Sequence, residues 1–199
     1  KAQAEKRVVG VLLEDEKPSV YLQRLADTPL FGRYPFRMLQ KLRDTEQSPI
    51  HHPEGSAGKR ALLVVDEAAR VKDRSGDRRV FLWAALLHDI GKPGTTRVRK
   101  GKITSYDHDA LGEKLAAEFL AFFTDDTAFI EKVSKLVRYH MHILYVNRNL
   151  PFGRPEKLKR ETSVHEVALL GYCDRMGRTH SVKAKEQESI RQFLKAMEQ

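Results

Sequence analysis

One apolar segment constrains the fold of this chain more than any other feature. Residues 81–87 read Phe-Leu-Trp-Ala-Ala-Leu-Leu, and His88 and Asp89 follow them directly. A helix that is apolar all round is buried, so these two polar residues are expected at the edge of a core. Gly91 and Pro93 are typical of the end of such a helix. An imidazole beside a carboxylate at that place is a suitable ligand pair for a metal ion.

Apolar residues recur at helical spacing through most of the chain and predict a mostly α protein. Helices are expected at about residues 18–25, 36–42, 61–72, 79–90, 109–123, 127–141, 162–173 and 181–197. Residues 8–13 fit either a strand or a helix, and residues 150–159 are expected to form a loop because they contain two prolines and a glycine. Two short segments, 95–98 and 103–106, flank the basic turn 99–102 and predict a small β-hairpin after the His-Asp helix.

The length of 199 residues suits one well-packed domain with appendages or two small domains. Residues 1–47 are expected to form a helical arm, and residues 48–199 a main domain with a C-terminal helix. The chain contains no run of about 18 apolar residues, so no membrane span is expected. Because there is no leader pattern and Cys173 is the only cysteine, the cytoplasm is the expected location.

The chain is basic, with a formal net charge of +9 at pH 7. Three of the cations, Arg97, Arg99 and Lys102, cluster just beyond the His-Asp pair. Such a field attracts phosphates, nucleotides or RNA. The alternative is a solvated basic surface with no specific partner.

Three more residues are candidate metal ligands beside His88 and Asp89. His108 follows the predicted hairpin, His140 falls on the apolar face of its helix, and Asp174 ends an apolar run. Each has an ordinary alternative role. His108 would be a residue next to a helix cap, His140 a histidine of the core, and Asp174 an acid paired with a neighbouring arginine. Together with the His-Asp pair, however, they form a set of ligands typical of a divalent metal centre.

These motifs resemble the HD superfamily of metal-dependent phosphohydrolases. The similarity is greatest to the HD domain of bacterial tRNA nucleotidyltransferases (the CCA-adding enzymes) and its stand-alone relatives. It covers about residues 47–180 and rests on the segments 51–55, 62–66, 84–93, 103–109, 136–140 and 171–174. The first fifty residues lack the Gly-Ser and Asp-x-Asp pattern of a nucleotidyltransferase head.

The resemblance implies a helical bundle, the HD domain over residues 48–199, with one or two divalent ions at its centre. The metal would be Fe, Mn, Ni, Co, Mg or Zn. His88, Asp89 and Asp174 would hold a first ion. Asp89, His108 and His140 would hold a second ion in members that bind two.

The implied activity is hydrolysis of a phosphate ester in a nucleotide, a cyclic phosphodiester or an RNA end. Lys92 and Asp89 would act in catalysis. The residues expected to contact phosphate are Arg60, Arg97, Arg99 and Lys102. Two alternatives stay open: a degenerate HD domain that binds nucleotide or RNA without cleaving it, and a helical domain that only binds a partner. A phosphate-containing small molecule or RNA is the expected ligand, with no membrane partner.

One departure from the family pattern bears on metal binding. Relatives usually place the first metal-binding histidine shortly after the His-Pro-Glu-Gly segment, and here that position is Arg60. A guanidinium stays protonated and cannot be a metal ligand. Two positions earlier, where the family usually has a bulky residue, this chain has Gly58.

Three outcomes are consistent with Arg60. The centre holds metal with fewer protein ligands, or His51 or His52 takes the missing place. In the third, Arg60 forms an ion pair with Asp89 or Asp174, so that one cation replaces another.

Overall fold

The computed structural model describes residues 2–199. It shows a helical bundle with a two-stranded antiparallel sheet, as the sequence predicts. The expected arm contains α1 (Ala2–Glu14), α2 (Ser19–Ala26) and α3 (Arg37–Arg43), while residue 1 lies outside the described part. The bundle and hairpin consist of α4 (Ala57–Val71), α5 (Arg78–Leu87), α6 (Lys92–Thr95), β1 (Thr96–Arg99), β2 (Lys102–Ser105), α7 (His108–Ala121), α8 (Thr127–Tyr139), α9 (His142–Asn147), α10 (Pro155–Glu161), α11 (Val164–Met176) and α12 (Lys183–Met197). Short 3-10 helices cover Pro29–Gly32 and Lys72–Arg74.

Helix α5 lies at the centre of the molecule. All of its residues from Val80 to Leu87 are buried, and it packs against α1, α4, α8 and α11. A helix surrounded in this way has no solvent-facing side, which explains why its sequence is apolar all round. Among the described helices, none has both the length and the apolar character needed to cross a lipid bilayer.

Among the described residues, four helices begin at a side chain that caps the first turn. Ser56, Asp77, Asp126 and Ser163 each accept a hydrogen bond from the backbone N–H three residues later. Such caps satisfy donors that the helix itself leaves free. The helix expected from about residue 162 begins at Val164 as α11, and Ser163 is its cap.

Two of the differences from the sequence-based expectation lie after α8. Residues 142–147 form a helix that was not predicted, and α10 occupies Pro155–Glu161, part of which was expected as loop. Pro155 is the first residue of α10, where its fixed φ and missing N–H suit a helix start. Residues 8–13, which fit either a strand or a helix, belong to α1.

The arm is fastened to the bundle through a buried polar contact. Asp66 of α4 accepts hydrogen bonds from the backbone N–H of Ser19 at 2.9 Å and from its hydroxyl at 2.6 Å. Ser19 is the first residue of α2, so the carboxylate satisfies a free donor at the start of that helix. The arm also shares the apolar core with α4 and α5. A domain boundary near residue 47 stays a prediction.

We expect the substitution Asp66→Ala to destabilise the protein by about 1–3 kcal/mol, because both donors of Ser19 would then be buried without an acceptor. Urea denaturation measures the loss. Asp73→Ala is the control, since Asp73 is an exposed acid that pairs with Arg78; its effect should stay within about 0.5 kcal/mol. Equal stability of both variants would show that the Asp66 contact does not hold the arm.

Candidate metal and phosphate site

Asp89 lies at the centre of the site, and its two carboxylate oxygens face different groups. Oδ1 is 3.5 Å from His108 Nε2 and 3.4 Å from His140 Nε2. Oδ2 is 3.1 Å from His88 Nε2 and 3.7 Å from Arg60 Nε. The side chain of Asp89 is only 3% exposed. The site therefore has a histidine side, with His108 and His140, and an arginine side, with His88 and Arg60.

The three histidines are oriented in the same way. In each of them Nδ1 contacts the backbone carbonyl oxygen three residues earlier. The distance is 2.7 Å from His88 to Ala85, 2.9 Å from His108 to Ser105 and 2.6 Å from His140 to Val137. A carbonyl oxygen can only accept, so each Nδ1 carries a proton and donates. Each Nε2 is thereby turned towards Asp89, which is how metal-binding imidazoles are usually held.

The histidine side fits a divalent metal ion. His108 Nε2 and His140 Nε2 are 3.2 Å apart, and with Asp89 they form a buried group able to hold a metal. Burial and the neighbouring His140 lower the pKa of His108 to about 4, so its Nε2 is a free lone pair at neutral pH. Ligand atoms about 2.1 Å from one ion lie about 3.0–3.4 Å apart, close to the spacing here.

The arginine side already holds a cation. The Arg60 side chain is 2% exposed, and its guanidinium donates to Glu54 Oε1 at 3.0 Å and to the backbone carbonyl of Asp174 at 3.0 Å. It also forms an ion pair with Asp174 Oδ1, the oxygen that lies 3.3 Å from His88 Nε2. With Arg60 in this position, His88, Asp89 and Asp174 do not fit a metal ion. The ion pair considered as the third outcome from the sequence is therefore present.

On the arginine side, neighbouring opposite charges stabilise the charged forms of His88 and Asp174. Burial alone would lower the pKa of His88, but the carboxylates of Asp89 and Asp174 outweigh it and raise the pKa to about 10. Burial alone would raise the pKa of Asp174, but Arg60 and His88 hold it well below its usual range. His88 is thus a cation here, whereas His108 is neutral.

Lys92 turns its ammonium group into the same site. Its Nζ is 3.4 Å from Asp89 Oδ2 and donates to Gln47 Oε1 at 2.5 Å, and its side chain is 9% exposed. Gln47 in turn donates to the carbonyl of Gly55 at 3.1 Å. The loop before α4 is therefore fastened over the site through Lys92 and Arg60.

The sequence-based candidates divide into two groups. The structure brings together His88, Asp89, His108, His140, Asp174, Arg60 and Lys92. Arg97, Arg99 and Lys102 lie on the exposed hairpin instead. His51 is exposed, and His52 lies 3.2 Å from Glu54 Oε1.

Sequence reasoning missed Glu54 and Gln47. Glu54 accepts from Arg60, and its side chain is 2% exposed. A buried guanidinium needs several acceptors, so an arginine at a ligand position should have prompted a search for a nearby acid. No comparable signal identifies Gln47, because a neutral side chain before a loop has no distinctive pattern.

Gly91 brings the His-Asp turn against α7. A Cβ at residue 91 would collide with the carbonyl oxygen of His108 and would lie 2.7 Å from the backbone nitrogen of Gly112. Only glycine permits this approach, so the short turn after Asp89 sets the position of His108 opposite that carboxylate.

Sequence comparisons identify known proteins that are similar to this chain. The Multifunctional CCA protein of Actinobacillus pleuropneumoniae serotype 5b is 28% identical over 127 residues, which cover 64% of this chain and 30% of that protein. The Multifunctional CCA protein of Methylococcus capsulatus is 31% identical over 132 residues, covering 64% and 28%. That of Halorhodospira halophila is 54% identical over 46 residues, covering 23% and 10%. The chain spans less than a third of each of these relatives.

A family model described as HD domain matches residues 57–178, which include α4, the hairpin and every member of the Asp89 site except Gln47 and Glu54. The match covers more than half of the chain, and its helical architecture agrees with the observed fold. This protein belongs to the HD domain family.

Proposed function

We propose that this chain is a metal-dependent phosphohydrolase module that acts on a phosphate ester in a nucleotide, a cyclic phosphodiester or an RNA end. The observation that most supports it is the pair of Nε2 atoms of His108 and His140, 3.2 Å apart beside Asp89 Oδ1. One divalent ion (Fe, Mn, Ni, Co, Mg or Zn) would be held by these three residues. When bound, such an ion neutralises phosphoryl charge and activates water.

The electrostatics of the site favour an anionic substrate once the ion is bound. The buried cluster contains three carboxylates and three cations: Asp89, Asp174, Glu54, Arg60, Lys92 and His88. A divalent ion on the histidine side adds positive charge to this balanced set, and an anionic phosphate restores the balance. Lys92, already 3.4 Å from Asp89 Oδ2, is placed to donate to a phosphoryl oxygen there.

The similarity to Multifunctional CCA proteins supports a nucleotide or RNA as the substrate class. The matched region is a small part of those proteins, so their whole activity is not transferred to this chain. The proposal assigns the activity to the cytoplasm, where the buried single thiol of Cys173 stays reduced.

A second function is favoured by Arg60. Its guanidinium occupies the arginine side and ties Asp174 and Glu54 together, so that half of the HD centre holds an organic cation. If a single metal ion is not sufficient for hydrolysis, the domain binds nucleotide or RNA without cleaving it. Metal content and turnover, measured together, separate the two functions.

We expect the purified protein, after reconstitution with divalent metal, to hold about one ion per chain, because only the histidine side has free ligands. His108→Ala should abolish this binding, and Arg60→His should raise it towards two ions by adding a ligand beside His88 and Asp174. Plasma mass spectrometry gives the stoichiometry. His165→Ala, at an exposed histidine that contacts the carbonyl of Arg74, is the matched control and should bind as the original protein does. The one-ion centre would be refuted if the original protein bound no metal and the Arg60→His variant did.

The reconstituted protein should hydrolyse bis(p-nitrophenyl) phosphate. Asp89→Asn and His140→Ala should lower kcat/KM by at least about a hundredfold, and Lys92→Ala by about 10- to 100-fold through loss of a phosphate donor. Lys114→Ala, at an exposed lysine of α7, serves as the control. Metal-loaded protein that is inert towards this ester and towards nucleotides would support binding without hydrolysis.

In the presence of a chelator, Arg60→Met should destabilise the protein by about 3–5 kcal/mol, because the carboxylates of Glu54 and Asp174 lose their buried partner. Arg60→Lys should lose less, since it keeps the charge. Added divalent metal should restore part of the stability of Arg60→Met, because Asp174 becomes free to bind it. Denaturation curves with and without metal test this, and unchanged stability in chelator would contradict it.

A further inference from the structure

One face of the β-hairpin combines cations with an exposed aromatic ring. In the antiparallel register Arg97 is opposite Thr104 and Arg99 is opposite Lys102. Opposed residues in such a pair share a face, and side chains alternate along each strand. Arg97, Arg99 and Lys102 are therefore on the same face. Val98 and Ile103 are on the other.

Tyr106 extends this face at the end of β2. Tyr106 is 65% exposed, and the guanidinium carbon of Arg99 lies 5.3 Å from its ring centroid. This contact places the ring on the same side of the hairpin as Arg99. An exposed aromatic ring beside arginines is the arrangement on which unpaired bases stack while their phosphates are neutralised.

We infer that this hairpin face binds a single-stranded polynucleotide, with a base on Tyr106 and phosphates on Arg97, Arg99 and Lys102. A duplex is excluded as the ligand because its bases are stacked internally and cannot reach the ring. A mononucleotide is disfavoured, since cations at alternate positions of a strand are about 7 Å apart and one phosphate cannot contact them all.

The hairpin is connected directly to the metal site. The carbonyl of Ser105 accepts from His108 Nδ1 at 2.9 Å, and Thr96 Oγ1 donates to the carbonyl of Lys92 at 2.7 Å. Tyr106 is two residues from His108. If a bound strand runs towards this end of the hairpin, its terminus lies near the Asp89 site. This last step rests on the proposed function, whereas binding to the hairpin does not.

The turn keeps the face rigid. Lys100 and Gly101 both have positive φ, at 51° and 77°, as a two-residue hairpin turn with the native strand twist requires. On the face opposite the cations, the hydroxyls of Thr96 and Ser105 lie 2.7 Å apart and link the strands. The cations and the ring are thus presented without a large loss of backbone freedom on binding.

The test is fluorescence anisotropy with a labelled single-stranded RNA decamer, carried out in chelator so that metal plays no part. Tyr106→Ala should weaken binding by about 10- to 100-fold, and Tyr106→Trp should retain it, because stacking needs a ring and no hydroxyl. Arg99→Gln should weaken binding and flatten its dependence on salt by about one unit of slope. Val98→Ala, at a 73% exposed residue of the opposite face, is the matched control and should bind as the original protein does.

The same assay is repeated with single-stranded DNA of the same sequence, with the corresponding duplex and with mononucleotides. Equal binding of RNA and DNA strands supports recognition by stacking and phosphate contacts, while a preference for RNA adds recognition of the 2′-hydroxyl. Tighter binding of the duplex, or a Tyr106→Ala variant that binds like the original, would overturn the inference. Binding of the RNA strand by the original protein, together with no hydrolysis of any phosphate ester after metal loading, would leave the hairpin site in place and refute only the proposed activity.

Discussion

The buried guanidinium of Arg60 is the interaction on which the rest of the site depends. Two carboxylates, Glu54 and Asp174, come from a loop and from α11, far apart in the sequence, and both point at this one side chain from α4. Neither acid would remain charged in a closed core without a cation, because desolvation of an unpaired carboxylate is costly. Arginine suits this role better than lysine, since its planar donors reach several acceptors at once. The position of the loop before α4 is therefore set by electrostatics as much as by packing.

Asp89 divides the centre into two halves with opposite requirements. On the arginine side, Oδ2 faces permanent cations, and His88 is held protonated by Asp89 and Asp174, which outweigh its burial. On the histidine side, Oδ1 faces the Nε2 atoms of His108 and His140, which lie 3.2 Å apart, and burial lowers the pKa of His108. In the first half, cations of the chain itself balance the carboxylates, while the second half is a group of residues that could hold a metal ion. The arginine at position 60 thus lowers the number of metal ions expected in the centre, while Asp89, the carboxylate that both halves share, is kept.

Much of the fold was predictable because it follows from local pattern. The apolar run of α5, the hairpin around the basic turn 99–102 and the apolar helix face that carries His140 were predicted from local pattern, and the structure shows each of them. The turn itself is shorter than predicted and consists of Lys100 and Gly101. The helix α10 was missed because two prolines and a glycine suggested a loop, although Pro155 at a first helical position favours a helix. The family resemblance brought together the histidines and acids of the centre. Neither pattern nor resemblance could supply the Glu54 contact, since it depends on how a loop folds back over α4.

The two departures from the family pattern at the start of α4 are coupled through packing. A Cβ on Gly58 would lie 3.0 Å from the backbone of Arg43, so the end of α3 packs closely against the first turn of α4. The arm thus fills space on one side of that turn, while Arg60, two residues on, points to the other side and fills the place of a ligand. Asp66, two turns further along, binds the start of α2. Helix α4 therefore connects the arm to the centre, and a change in how the arm packs would move Arg60 relative to Asp174.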